Sequence, residues 1–282
     1  MRRKKIKISN IFAYIFLSIA TIVSIFPFYW MIASATNSSR DVIAGRLLPG
    51  TYFLTNIQTM LDQTNFMRAF WNSTRLAVIA TVLTIFVSSL AGYGFEVYKS
   101  RKKDIVFSIL LISMMIPATT LIVPLFLLIV NVSDVLPNAI PFGLNTMAAV
   151  MLPGMASVFL IFFFRQSTKM FSMEILEAAR IDGTSELGLF FKMFIPIMKN
   201  TYAAAGIIAF MGSWNAFMWP TIILRIGDMH TLPIVLNLST QGYWVDFGLV
   251  MLMSFLSVIP IGIVFFVLQK HFVAGMIGTI KG

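Results

Sequence analysis

Phe247-Gly-Leu-Val-Met-Leu-Met-Ser-Phe-Leu-Ser-Val-Ile-Pro-Ile-Gly-Ile-Val-Phe-Phe-Val-Leu-Gln269 is an apolar run without one charged side chain. A helix needs about 20 predominantly apolar residues to cross the hydrocarbon core of a bilayer. The run is continuously apolar and lacks the period-two alternation of a barrel strand, so it reads as a transmembrane helix. Five further stretches pass the same test. The six predicted spans are 11–33, 71–95, 105–130, 144–164, 202–224 and 247–269. The expected fold is an all-α membrane protein of about six transmembrane helices, one domain over residues 1–282. Pro117 and Pro124 in the third span and Pro153 in the fourth predict kinks, because proline removes a backbone donor.

Composition agrees. Hydrophobic residues make up 58% of the chain and charged ones 11%, with a mean hydropathy of +0.87. A soluble chain of this length needs more polar surface to cover a core, so lipid is expected to cover the outside. There is no cysteine, which excludes a disulfide framework, a thiolate metal site and a cysteine nucleophile. His230 and His271 lie far apart and outside the apolar runs, without the clustered spacing of a zinc site. The net charge of +10 comes in short blocks between spans and forms no continuous stripe. That is the pattern of a topology signal, and nucleic acid is not expected as a partner.

The blocks set an orientation. Arg2, Arg3, Lys4, Lys5 and Lys7 precede the first span, and Lys99, Arg101, Lys102 and Lys103 follow the second. Arg165, Lys169, Arg180, Lys192 and Lys199 separate the fourth and fifth spans, and Lys270 and Lys281 follow the sixth. The opposite side holds Arg40, Arg46, Arg68, Arg75 and Arg225. The positive-inside rule puts both termini in the cytoplasm. Tyr29, Trp30, Trp71, Trp219, Tyr243 and Trp244 then fall at outer ends, where amphipathic rings favour the headgroup layer. The basic start and Ala33-Ser34-Ala35 have the look of a cleavable signal peptide, but the apolar run is too long for one. A retained first helix is expected.

The eleven acidic residues lie in loops or near span ends. Ion-coupled transporters usually carry an ionisable group mid-span, so secondary transport is disfavoured. Paired carboxylates or a metal cluster for a membrane hydrolase are missing as well. No GxxxxGK[ST] phosphate loop occurs, and the stretch from Gly275 to Gly282 lacks its spacing. If ATP drives this protein, another chain must bind it.

Residues 165–200 form the longest inward segment between spans and read as two short helices. Ser172 is placed to cap the first, over 173–181, and Asp182-Gly183 to end it at a left-handed turn. Thr184 or Ser185 is placed to cap the second, which runs toward Pro196. Ala178 and Ala179 keep the first helix slim enough for close approach to another surface.

Glu177-Ala178-Ala179, three residues, Gly183, nine residues, then Met193-Phe194-Ile195-Pro196 resembles the EAA loop, EAA-x3-G-x9-I-x-LP, of permeases in bacterial binding-protein-dependent ABC importers. Met193 stands for the Ile and Ile195 for the Leu. Gly212-Ser213-Trp214-Asn215-Ala216-Phe217-Met218-Trp219-Pro220 is similar to a stretch of the carbohydrate-uptake branch, the maltose-type G subunits. The ending from Gln269 to Gly275 and Ile280-Lys281-Gly282 is similar too. One departure is Ala216, where that branch commonly carries Asp.

The resemblance implies a non-catalytic permease subunit of a sugar importer in the bacterial inner membrane. It implies an EAA coupling loop between helices 4 and 5, with Glu177, Ala178, Ala179, Asp182 and Gly183 at the ATPase contact. Glu177 would offer a charge or a cap near the partner, and Gly183 a turn where a Cβ would clash. The implied partners are a second homologous permease chain, two copies of a cytoplasmic ATPase holding ATP and Mg, and an extracellular sugar-binding protein. This chain itself would hold no cofactor. Trp214, Asn215 and Phe217 are candidates for the substrate pathway, an aromatic face beside an amide suiting a sugar ring; packing with an interhelical hydrogen bond is the alternative. An ion-coupled secondary transporter or channel remains the other functional reading.

Overall fold

The computed structural model describes residues 8–135 and 142–278, with side chains over 12–132 and 142–270. The basic run Arg2, Arg3, Lys4, Lys5 and Lys7 and the tail Ile280-Lys281-Gly282 lie outside the described residues, as do the side chains of Asp134 and His271. The described elements of regular structure are all helical. In chain order they begin with α1 (Ile8–Ala35), α2 (Ser39–Ile43), α3 (Phe53–Gln63) and α4 (Phe66–Val97). Next come α5 (Arg101–Ser113), α6 (Ile122–Val135), α7 (Met147–Met151) and α8 (Val158–Thr168). The short helices α9 (Met173–Ile181), α10 (Glu186–Gly188) and α11 (Ile195–Ile197) precede α12 (Lys199–Trp214) and α13 (Met218–Ile223). The last are α14 (Leu232–Ser239) and α15 (Phe247–Gly278).

Among the described residues, four stretches are long and apolar enough to cross a membrane unaided: Phe12–Ala35, Phe66–Val97, Lys199–Ile223 and Phe247–Lys270. The third and fourth expected spans are not single helices. Between Arg101–Ser113 and Ala118–Val132 the axis turns by 94°. Pro117 lacks an N–H, and its ring pushes Ile116 out of the helical region. Ahead of it, Met114, Met115 and Ile116 donate to carbonyls three residues back, a tightened turn that ends α5. The predicted kink is thus a full corner. The fourth span bends by 44° between Met147–Gly154 and Val158–Thr168, with Pro153 in a 3₁₀ turn and Ser157 capping α8 by accepting from the Leu160 N–H. Counting each bent pair as one crossing restores the expected six.

The chain forms two compact units. One comprises the chain up to Phe66 together with Val235–Ile259. There the last carbonyls of α1 are satisfied by asparagines: Asn37 Nδ2 donates to Ala33 O and Leu48 O, and Asn56 Nδ2 to Ala35 O and Asn37 O. Gly248, in the first turn of α15, passes so close that a Cβ would lie 2.5 Å from Asn37 O. The rest of α1 is apolar all round and exposed, as at Phe12 and Phe16, the pattern of a helix that faces lipid or another chain.

The second unit comprises Met67–Ile234 and the chain from Pro260. Its central rod is α4, 32 residues without a break. Near its start Asn72 Nδ2 donates to Asp228 O (2.8 Å) and His230 O (3.0 Å), and Ser73 Oγ accepts from the Leu232 N–H (2.7 Å). Arg68 pairs with Asp228 beside them. Near its other end Gly92 lets α8 approach, since a Cβ there would meet Phe164 Cβ at 2.6 Å and Arg165 N at 2.8 Å. Leu76, Ile129, Val150, Ile223 and Leu224 form one apolar cluster of this unit. A second gathers Tyr93 with side chains of the segment from Phe171 to Phe194.

Candidate functional site

The segment holding α9, α10 and α11 is built on the end of α4. Ser172 occupies the N-cap of α9 with extended backbone, but its side chain makes no capping bond, unlike the expectation from sequence. The other end is as expected. Asp182 is the C-cap, Gly183 has φ +78°, the Gly183 N–H donates to Arg180 O (3.0 Å) and the Thr184 N–H to Ala179 O (2.9 Å). This pair of backward bonds closes the helix only if the residue after the cap is left-handed. No neighbouring atom lies within 4 Å of a Cβ built on Gly183, so its conformation, not a clash with surroundings, is what calls for glycine. Ser185 then caps α10 by accepting from the Gly188 N–H (3.2 Å), and a π-helical stretch, Leu189–Phe194, leads into α11.

The two faces of α9 differ. Leu176 and Ala179 are buried with Tyr93, Leu189, Phe190 and Phe194. The Tyr93 ring lies 5.2 Å from Phe190 and 4.8 Å from Phe194. The small side chain of Ala179, expected to keep the helix slim for a close approach to another surface, is buried here in a cluster of this chain's own residues. Glu177 and Ala178 are exposed, as are Asp182 and Gly183. In the same segment the apolar side chains of Met170 (72%), Ile181 (87%) and Leu187 (68%) are also exposed. They lie outside the apolar helices. The sequence motif drew attention to Glu177 and Ala178 but not to these three.

Charged groups tie this segment to the rest of the unit. Arg180 gives both Nε and Nη2 to the Glu186 carboxylate (2.8 and 3.1 Å). Tyr98, one residue past α4, donates its hydroxyl to the same carboxylate. The Arg180 hydrogen bond and then that of Tyr98 hold the Glu186 carboxyl below the usual glutamate range. Its folded pKa is depressed, so this contribution is present above the ordinary glutamate range and lost only as the pH falls below it. Burial, then the Glu186 hydrogen bond, pushes the Tyr98 phenol up. A second group lies at the junction of α4, α5 and α8. Arg165 reaches Glu96 (3.3 Å) and Asp104 (2.5 Å), Lys99 reaches Glu96 (2.5 Å), and the guanidinium lies 4.1 Å above the Phe107 ring. Glu96 and Arg165 are both buried. Lys99, Arg165 and Arg180, read as orientation signals, thus also hold ion pairs within the chain.

The substrate-pathway candidates flank the end of α12 and are not brought together on one surface. Trp214 is buried, stacked on Phe210 at 5.6 Å and edge-on to Phe70 at 5.9 Å. Asn215 ends α12 and returns its Nδ2 to Met211 O (3.0 Å). Phe217 is exposed at the start of α13. Residues 215–217 are non-helical. A cavity of about 360 Å³ lies beside this break, lined by Thr84, Ser157, Gly212, Ser213, Ala216 and Trp219 among others. Its polar groups are largely engaged: Trp219 Nε1 donates to Ala149 O (3.1 Å), Thr84 Oγ1 to Gly154 O (3.4 Å), and Ser157 Oγ accepts from the Leu160 N–H. Among the described residues no cluster of His, Asp and Glu could hold a metal ion.

Comparison with known proteins supplies what geometry alone does not. Residues 85–278 match the family described as "Binding-protein-dependent transport system inner membrane component". The chain is 40% identical to the lactose transport system permease protein of Rhizobium radiobacter, over 98% of this chain and 97% of that one. It is 32% identical to the arabinooligosaccharides transport system permease protein of Halalkalibacterium halodurans, over the full length of both. A solved chain from a bacterial ABC transporter that imports the acidic polysaccharide alginate shares its fold, with a TM-score of 0.79 over 96% of this chain and 99% of that one, at 22% identity.

Proposed function

Because the chain belongs to the family of binding-protein-dependent transport system inner membrane components, we propose that it forms half of the translocation pathway of an ATP-driven importer of small saccharides. The observation that carries this reading is the likeness over nearly the whole chain to permeases named for lactose and arabinooligosaccharide transport. The chain is a multi-pass membrane protein. ATP and Mg belong in a cytoplasmic ATPase present in two copies, and an extracellular binding protein delivers the sugar.

The ATPase docks on the exposed face around Glu177, Ala178, Asp182 and Gly183, with Ile181 and Leu187 entering an apolar groove of the partner. Residues 165–200 and both termini then lie in the cytoplasm, as the basic blocks require. Broken backbone at membrane depth is tolerated only where protein covers it or a watery cavity solvates it. The exposed corner at 114–117 and the gap at 215–217 therefore face a second, related permease or the pathway itself. Asn215 and Phe217 border that pathway, while Trp214 braces the helix behind them.

The test is to tag the chain, purify it from native membranes in mild detergent and identify what accompanies it by mass spectrometry. A second permease and a P-loop ATPase should appear, and the ATPase should be lost on changing Ile181 to Asp. A chain that purifies alone and moves sugar in liposomes without ATP would sink this reading in favour of a secondary transporter.

A further inference from the structure

Docking by itself moves nothing: a push on α9 must reach the helices that span the membrane. Two kinds of contact join the α9–α11 segment to α4. The apolar cluster around Tyr93 is close-packed but non-directional. The other contact is directional. Tyr98 meets the Glu186 carboxylate that Arg180 grips with two hydrogen bonds, so one carboxylate joins the residue that follows α4, the last turn of α9 and the first residue of α10. The ring of Tyr98 is held as well, with the Arg180 guanidinium 5.8 Å and the Lys103 ammonium 5.1 Å from its centroid.

We propose that Tyr98 is a positioning residue that transmits load: through Glu186 and Arg180 it locks the docking segment to α4, so that movement of α9 moves α4. The proposal rests on the importer reading above. Three features of the site support it. Tyr98 sits immediately past the last turn of an unbroken 32-residue helix, so displacement there is passed along the whole rod. Arg180 stands among the exposed residues of α9 and is already engaged by Glu186 of its own chain. The link is made at the α9–α10 turn, whose backbone Gly183 holds left-handed.

The test uses the complete importer in proteoliposomes, with external binding protein and radiolabelled lactose as probe, because one of the relatives above is named for lactose transport. Tyr98→Phe keeps the ring and its packing and removes only the hydroxyl. Sugar moved per ATP hydrolysed should fall about three- to fivefold, while the ATPase still co-purifies in full yield. Glu186→Gln should give a similar fall, and the double variant should fall little further, since the two residues act through one bond. A purely structural role would lower yield and both rates together and leave the ratio unchanged; that result, or full additivity in the double variant, would overturn the proposal. Failure of the wild-type chain to bring down any ATPase would instead strike the importer reading, so the two failures are told apart by the first purification.

Discussion

Gly183 shows how a single backbone angle can matter more than the space around it. With φ at +78° and nothing near its missing side chain, substitution is penalised by left-handed strain of about 1–2 kcal/mol. Gly183→Val should unseat the α9–α10 turn and reduce the ATPase recovered with the chain, whereas Gly183→Asn, tolerant of that region, should retain most of it; pull-down yields distinguish them. At Arg165 the decisive quantity is burial. Arg165→Met would strand Glu96 with only the half-exposed Lys99 for company, and about 3 kcal/mol of stability should be lost, read as a lower melting temperature in detergent. These two residues were unequally visible in the sequence. An Asp-Gly pair after a helix-forming run announces a turn locally. Nothing local announces that Arg165 meets Glu96 across 69 positions, or that Tyr98 meets Glu186 across 88.

The helices themselves were readable because apolar length is a local property; their continuity was not. Pro27 and Pro260 sit inside α1 and α15 without ending them, while Pro117 stands at a 94° corner. One residue type gives two outcomes because proline removes the same bond everywhere, and only neighbouring structure decides whether the helix resumes its direction. The closeness of α4 to α8 likewise depends on a partner far along the chain. Gly92→Ala would force a methyl into Phe164 and the Arg165 backbone, and should cost about 1–3 kcal/mol by thermal unfolding. Gly94, two residues on, has open space around it, so Gly94→Ala should leave the melting temperature unchanged or raise it slightly. The candidate pathway residues failed to gather for a related reason: α12 stops at Trp214, which turns that ring inward and leaves Asn215 to close the helix end.

On the scale of the whole molecule, the absence of cysteine makes the proposed orientation open to a direct check. Single cysteines at Glu177 and Gly282 should react with a membrane-impermeant maleimide only after the cell is opened, and one at Tyr243, which is fully exposed, in intact spheroplasts. Labelling of Glu177→Cys from outside would reverse the topology and remove the docking face from the ATPase. The rod α4 carries a consequence of another kind. Its early turns are keyed to the loop at Asp228–Leu232 and its late turns to α8 and to the α9 segment. A helix advances about 100° and 1.5 Å per residue. Inserting or deleting one residue between Ser73 and Gly92 would therefore rotate one set of keys out of phase with the other. Turns elsewhere in this chain could drift in length, but the tally of residues between those two locks behaves as an indivisible count, inherited whole or not at all.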